Sequence, residues 1–177
     1  MNNILLSLTF LLQSIIICSQ ENRYSCTTTL GILSGTSASV HAAPLSFISE
    51  HHYRFHRIMS AGLMTGIEQL NENTLPCALN YRLFVPSGAF RPYLAAYTGY
   101  SVALEKPEFM DIDKAHGGIL AGAETGAMIR INGCASLIFG FGYRYSELHY
   151  TMLNSWFGEY KRNFTFNRVS IRLGLVI

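Results

Sequence analysis

Three histidines crowd one short stretch of this 177-residue chain: His51, His52 and His56 in "HHYRFH". Imidazoles gathered closely hold zinc and similar ions, so metal ligation is the first chemistry to weigh. On a strand, however, His51 and His52 point to opposite faces, and His52 and His56 lie about 13 Å apart at the usual rise. No thiol or carboxylate at ligand spacing completes a set, so neither a metal nor another cofactor is expected. A second constellation is Asp111, Asp113 and His116 in one polar segment, with Ser155 in another. These are the residue types of a hydrolytic triad, but no characteristic spacing joins them. The glycines of "MTG" and similar pairs precede no G-K-[ST], which excludes a phosphate loop.

The remaining candidates are arginines and glutamates at alternate positions. Alternation needs strands, whose side chains point to opposite faces in turn. In "SLIFGFGYRYSEL", Leu137, Phe139, Phe141, Tyr143 and Tyr145 share one face, opposite Ser136, Gly140, Gly142, Arg144 and Ser146. In "NRVSIRLGLVI", Val169, Ile171, Leu173 and Leu175 oppose Arg168, Ser170, Arg172 and Gly174. The same division puts Glu50, His52 and Arg54 on the polar face of one segment and Glu68 on that of the next. Arg82, Arg91, Glu124 and Arg130 fall on the polar faces of later segments, where Phe84 and Met128 are apolar exceptions.

About eight such segments follow Tyr24, and turn signals separate them. "FH", "PSGA" and "NG" are short joints, and Asn132-Gly133 suits a two-residue type I′ hairpin. "QLNEN", "EKPEFMDIDKAH" and "TMLNSWFGEYKRNF" read as longer polar loops. Within the last, Trp156 is either an aromatic-belt residue at a membrane interface or a surface contact site.

Composition narrows the setting. Apolar residues make up 49% and charged residues 14%, against about 25% charged in ordinary soluble domains. Beyond the N-terminus no apolar run approaches the roughly 20 residues of a spanning helix. A net charge of +2 argues against a nucleic-acid partner. "ILLSLTFLLQSIIIC" reads as the apolar core of a signal peptide spanning residues 1–20, with cleavage near Ser19 or Gln20. Residues 21–177 then form one domain with an odd set of cysteines, Cys26, Cys77 and Cys134, which implies no disulfide framework.

Arginines in alternate positions cannot face an apolar core without partners, because each buried unpaired charge costs several kcal/mol. Inside a narrow barrel, charges from neighbouring strands pair, while the apolar faces meet lipid. The expected fold is therefore all-β: an eight-stranded antiparallel up-and-down transmembrane barrel. Glu50, Arg54, Glu68, Arg82, Glu124, Arg130, Arg144, Arg168 and Arg172 would line the lumen. Leu137, Phe139, Phe141, Tyr143, Tyr145, Val169, Ile171, Leu173 and Leu175 would face lipid. A soluble, lipocalin-like cup inverts the same faces, but its exposed strands would carry more Lys, Thr and Glu than these do.

The runs "SFISEHHYRFHRIMSAGLMTGIEQL", "RPYLAAYTGYSVAL", "GGILAGAETGAMIRI", "FGFGYRYSEL" and "FNRVSIRLGLVI", in that order, resemble the small outer-membrane β-barrel proteins of Bacteroidetes-type bacteria. The resemblance spans about Ser46 to Ile177. It implies the outer membrane of a Gram-negative cell and contact with outer-membrane lipid and the barrel-assembly machinery, and an even strand number with the short turns inward would leave both termini in the periplasm. The resemblance supplies no activity. The expected role is structural or surface-interacting, with the lumen plugged by the Arg/Glu network and long loops free to meet an extracellular ligand. A narrow passage for ions or small solutes, anions above all, is the alternative. A lipid-modifying enzyme is a further one, and no catalytic residue is assigned.

Overall fold

The computed structural model describes residues 23–35, 44–70, 72–86, 88–105, 112–154 and 158–177. Residues 1–20, read above as a signal peptide, and Asp111, Ser155 and Trp156 lie outside them. The strands are β1 (Tyr24–Ser34), β2 (Leu45–His56), β3 (Met59–Gln69), β4 (Asn73–Phe84), β5 (Phe90–Ala103), β6 (Ile112–His116), β7 (Gly118–Arg130), β8 (Ser136–Asn154) and β9 (Gly158–Val176). Every neighbouring pair is antiparallel, and the order β9-β1-β2-β3-β4-β5-β7-β8 closes through a β8–β9 pairing. β6 and β7 both pair with β8 and are two parts of one barrel strand, interrupted at Gly117. A side chain on Gly117 would strike the Ser101 carbonyl, so only glycine fits this break. The result is a closed eight-stranded antiparallel barrel.

Alternation sorts the residues as the pleat requires. Leu30, Leu79, Leu94, Phe139, Phe141, Tyr143 and Leu173 lie exposed on the outside, Phe141 at 50%. Arg82, Arg144, Glu50 and Glu68 are buried inside, the two arginines at 1% each. A water-soluble protein of this size hides its aromatics; this one displays them and hides its charges.

The start of β1 and the end of β9 lie at the same end of the barrel, where Cys26 and Ile177 exchange two backbone hydrogen bonds of 2.8 Å. Three connections share that end. Arg57 and Ile58 link β2 to β3, residues 85–89 link β4 to β5, and residues 131–135 link β7 to β8. The last of these corrects the two-residue turn expected at Asn132-Gly133. Ile131 N–H donates to Ala135 O at 3.0 Å, so the loop between them holds three residues. The Asn132 side chain shapes it, its Oδ1 accepting from Cys134 N–H (3.0 Å) and Ala135 N–H (2.7 Å), the backbone mimicry that asparagine offers at turns.

The opposite end also departs from expectation. Only Leu70 to Glu72 separate β3 from β4, and much of what reads as loop in "TMLNSWFGEYKRNF" is strand. β8 and β9 stay paired from Ser136↔Val176 to Asn154↔Gly158, whereas β1 leaves β9 at Ser34↔Val169. Backbone pairing carries these arms past the barrel although their polar composition signals a loop. Local composition cannot register a ladder formed with a distant partner.

Candidate functional site

The inner faces of β2, β4, β7 and β9 bring four charged side chains into one chain of ion pairs. Glu50 stands between two arginines: Arg82 Nη2 contacts Oε2, and Arg172 Nη1 lies 2.9 Å from Oε1. Arg172 also donates from Nε to Glu124 Oε2 at 2.5 Å, and its Nη2 contacts the same carboxylate. Tyr93 O–H completes the series by donating to Glu124 Oε1 at 2.5 Å. A second group forms where Arg144 meets Glu68, whose Oε1 accepts from Ser46 O–H at 3.0 Å. Arg168 lies directly across from Arg144 in the β8–β9 register. It donates to the Leu33 carbonyl at 3.2 Å.

Two tyrosines organise these charges. The Arg144 and Arg172 guanidinium carbons sit 5.5 and 5.8 Å from the Tyr97 ring centre, and that of Arg82 sits 4.9 Å from the Tyr93 ring centre. A cation over an aromatic face is attracted by the ring quadrupole, more strongly when both are desolvated. Glycine makes the rings fit. A Cβ on Gly122 would collide with the Tyr97 ring, and one on Gly140 would strike the Glu124 carboxylate. Glycines on the charged parity of a strand thus mark where a neighbour's long side chain must lie. Tyr93 and Tyr97 escape the sequence reading because aromatics count as outward-facing there. Their parity with Arg91 and Ser101 was the available signal.

Apolar layers lie within the same interior. Leu33, Leu70, Leu148, Tyr150 and Phe166 form a buried cluster toward the end opposite the termini. There Tyr150 O–H spans both oxygens of Glu72, at 2.6 and 2.8 Å. Burial holds the Glu72 carboxyl above its ordinary value, partly offset by the Tyr150 hydrogen bond. Toward the short-turn end, Tyr93, Ala95, Met128, Ile138 and Val176 form another cluster, with Phe84 against it. Met128 and Phe84, the two apolar exceptions in the strand pattern, thus belong to one apolar cluster.

Of the residues expected to line the lumen, Glu50, Glu68, Arg82, Glu124, Arg144, Arg168 and Arg172 are buried inside the barrel. Arg54 is half-buried, and its guanidinium carbon sits 5.6 Å from the Phe84 ring centre. Arg130 is a correction. It ends β7 at the mouth and is exposed, because the strand stops before its side chain can reach the interior. On the outer wall Phe139, Phe141, Tyr143, Val169, Ile171, Leu173 and Leu175 are exposed, whereas Leu137 and Tyr145 are half-covered. The histidines separate. His52 is inside, 3.3 Å from Glu50 and 3.4 Å from Ser60 Oγ; His51 is outside, bonded to the Tyr24 hydroxyl; His56 is exposed at the turn. Among the described residues no three His, Cys, Asp or Glu side chains converge as a metal site.

No known protein family matches this sequence, and no curated protein matches it significantly. Solved structures do. The outer membrane protein OprG from Pseudomonas aeruginosa superimposes with a TM-score of 0.70 over 90% of this chain and 97% of its own, at 11% identity. Neisserial surface protein A (NspA) gives 0.61 over 87% of this chain and 96% of its own, also at 11% identity. What this chain shares with these two is the fold, a closed barrel of eight antiparallel strands.

Proposed function

We propose that this chain is a small outer-membrane barrel whose interior is sealed and whose role is structural or surface-interacting. The observation that carries the reading is the inversion of polarity: an apolar outer wall around buried Glu50–Arg172–Glu124 and Glu68–Arg144 groups. In lipid the outer wall carries no hydrophobic penalty, and closure satisfies every backbone group between strands. The likeness to OprG and NspA supports the same placement. On this reading both termini and the short turns face the periplasm, the opposite end faces outward, and the barrel-assembly machinery inserts the chain. Ion pairs and apolar clusters fill the interior, as expected for eight strands, and a plug follows better from them than an open pore.

A second reading, a narrow passage, is favoured by one observation. Both side-chain ends of buried Asn80, and Nε and Nη2 of Arg144, have no protein partner, so water has groups to bind there. Membrane fractionation with gel migration before and after boiling tests the placement. Recovery in the outer membrane with a heat-dependent shift is expected, and a soluble protein with no shift would refute it. Planar-bilayer recording separates plug from passage: silence supports the plug and steady anion-selective current the passage.

A further inference from the structure

The side chains of the three turns at the Cys26–Ile177 end of the barrel carry charge of one sign. Residues 53–59, 84–92 and 128–137 contain Arg54, Arg57, Arg91 and Arg130 and neither Asp nor Glu. Three of these arginines belong to the inner parity of their strands. Arg54 follows Glu50 and His52 on β2, Arg91 precedes Tyr93 on β5, and Arg130 follows Met128 on β7. The register draws them together. Phe84 pairs with Tyr93, Arg91 pairs with Met128, and Arg130 N–H donates to the Ala89 carbonyl at 2.9 Å. Phe84 and Met128 meet in one apolar cluster, and Arg54 lies over the Phe84 ring. Arg54 is partly desolvated there, and Arg91 and Arg130 are near enough to act on it with like charge. Its Nε is buried without a hydrogen-bond partner.

Three guanidinium groups on turns that hold no acidic side chain repel one another, and a buried N–H left unpaired costs further. An anion relieves both. We propose that Arg54, Arg91 and Arg130 form a cup at this mouth that binds a phosphate-class oxyanion. Arginine's planar fork suits phosphate oxygens. Three forks also exceed what the two oxygens of a single carboxylate accept, whereas a tetrahedral phosphate presents oxygens in several directions. Phe84, Tyr93 and Met128 close the floor of the cup, so the anion docks there and does not pass through. Because Arg54 and Arg91 are half-buried and Arg130 stands exposed at the rim, the ligand reaches them from the aqueous side. This site goes beyond the membrane reading and does not require the interior to conduct.

The test uses the full barrel refolded in zwitterionic detergent and calorimetric titration with inorganic pyrophosphate at low salt. Saturable one-site binding is expected. Arg91→Gln and Arg130→Gln, both at positions that do not fill the core, should each weaken it about tenfold, the loss of one charge-assisted contact. Arg57→Gln, on the exposed turn outside the cup, should leave it unchanged. Absence of saturable binding, or equal weakening by Arg57→Gln, overturns the site, the latter because it signals diffuse attraction only. Titration in phosphatidylcholine nanodiscs with and without phosphatidylglycerol identifies the source of the phosphate. Binding blocked by phosphatidylglycerol supports a lipid headgroup in the cup, and binding unaffected by it supports a soluble phosphate.

Discussion

Arg172 Nη1 lies 2.9 Å from Glu50 Oε1, although 122 positions separate the two residues in the chain. The contact joins β9 to β2 across β1, and the same guanidinium reaches Glu124 on β7 across β8. One side chain thus ties together strands on both sides of its own. Removing it takes the cation from buried Glu124 and leaves Glu50 with Arg82 alone, and breaking a buried pair usually costs about 3–5 kcal/mol. Arg172→Met should lower the unfolding free energy by that order in denaturant titrations of the refolded barrel. Adding Glu124→Gln should recover part of the loss, since the uncompensated charge is then absent; an additive double variant would show that the two residues do not interact.

Gly122 and Gly140 make room for the Tyr97 ring and the Glu124 carboxylate. Gly122→Val should therefore force the ring aside and cost about 1–3 kcal/mol, the usual range for overpacking. Paired with Tyr97→Ala, the same valine should be better tolerated than alone. Temperature-dependent gel migration of the four proteins measures this, and equal melting for both backgrounds would contradict the steric account.

Phe141 is half-exposed on the outer wall. Placed in a bilayer, Phe141→Arg should destabilise the barrel by about 2–4 kcal/mol, the cost of a cation at mid-depth on a lipid face. On a water-facing wall the same change would be nearly neutral. Reversible unfolding in phospholipid vesicles distinguishes the two outcomes.

Glu72 is held by the Tyr150 hydroxyl beneath the opening opposite the termini, and burial raises its pKa from 4.5. An acid whose folded pKa is raised favours the protonated state. The folded mouth therefore gains stability at pH below the unfolded value and loses it as pH rises through the folded one. Protection of the 70–73 amides in hydrogen exchange, corrected for intrinsic rate, should be higher below pH 4.5 than at pH 7. Glu72→Gln should make that protection independent of pH.

Much of this architecture was legible in the sequence, for a physical reason. The pleat has a period of two, so Leu137–Phe139–Phe141 and Arg168–Ser170–Arg172 announce opposite faces before any contact is known. The scarcity of charge and the arginines on polar faces then argue that the polar faces turn inward. Strand count and closure follow from that pattern. Partner choice did not, because it depends on register and on which strands become neighbours. The sequence contains both arginines and carboxylates but not the fact that Arg172 serves Glu50 and Glu124 together, or that Arg144 serves Glu68. Tyr93 and Tyr97 share the parity of Arg91 and Ser101, but only the closed barrel places them against guanidinium groups. Arg130 carries the same parity as the lumen charges, yet the end of β7 leaves it at the mouth beside Arg54 and Arg91. Alternation sets the direction of a side chain; only the tertiary structure sets its height along the barrel, and that height decides which charges meet.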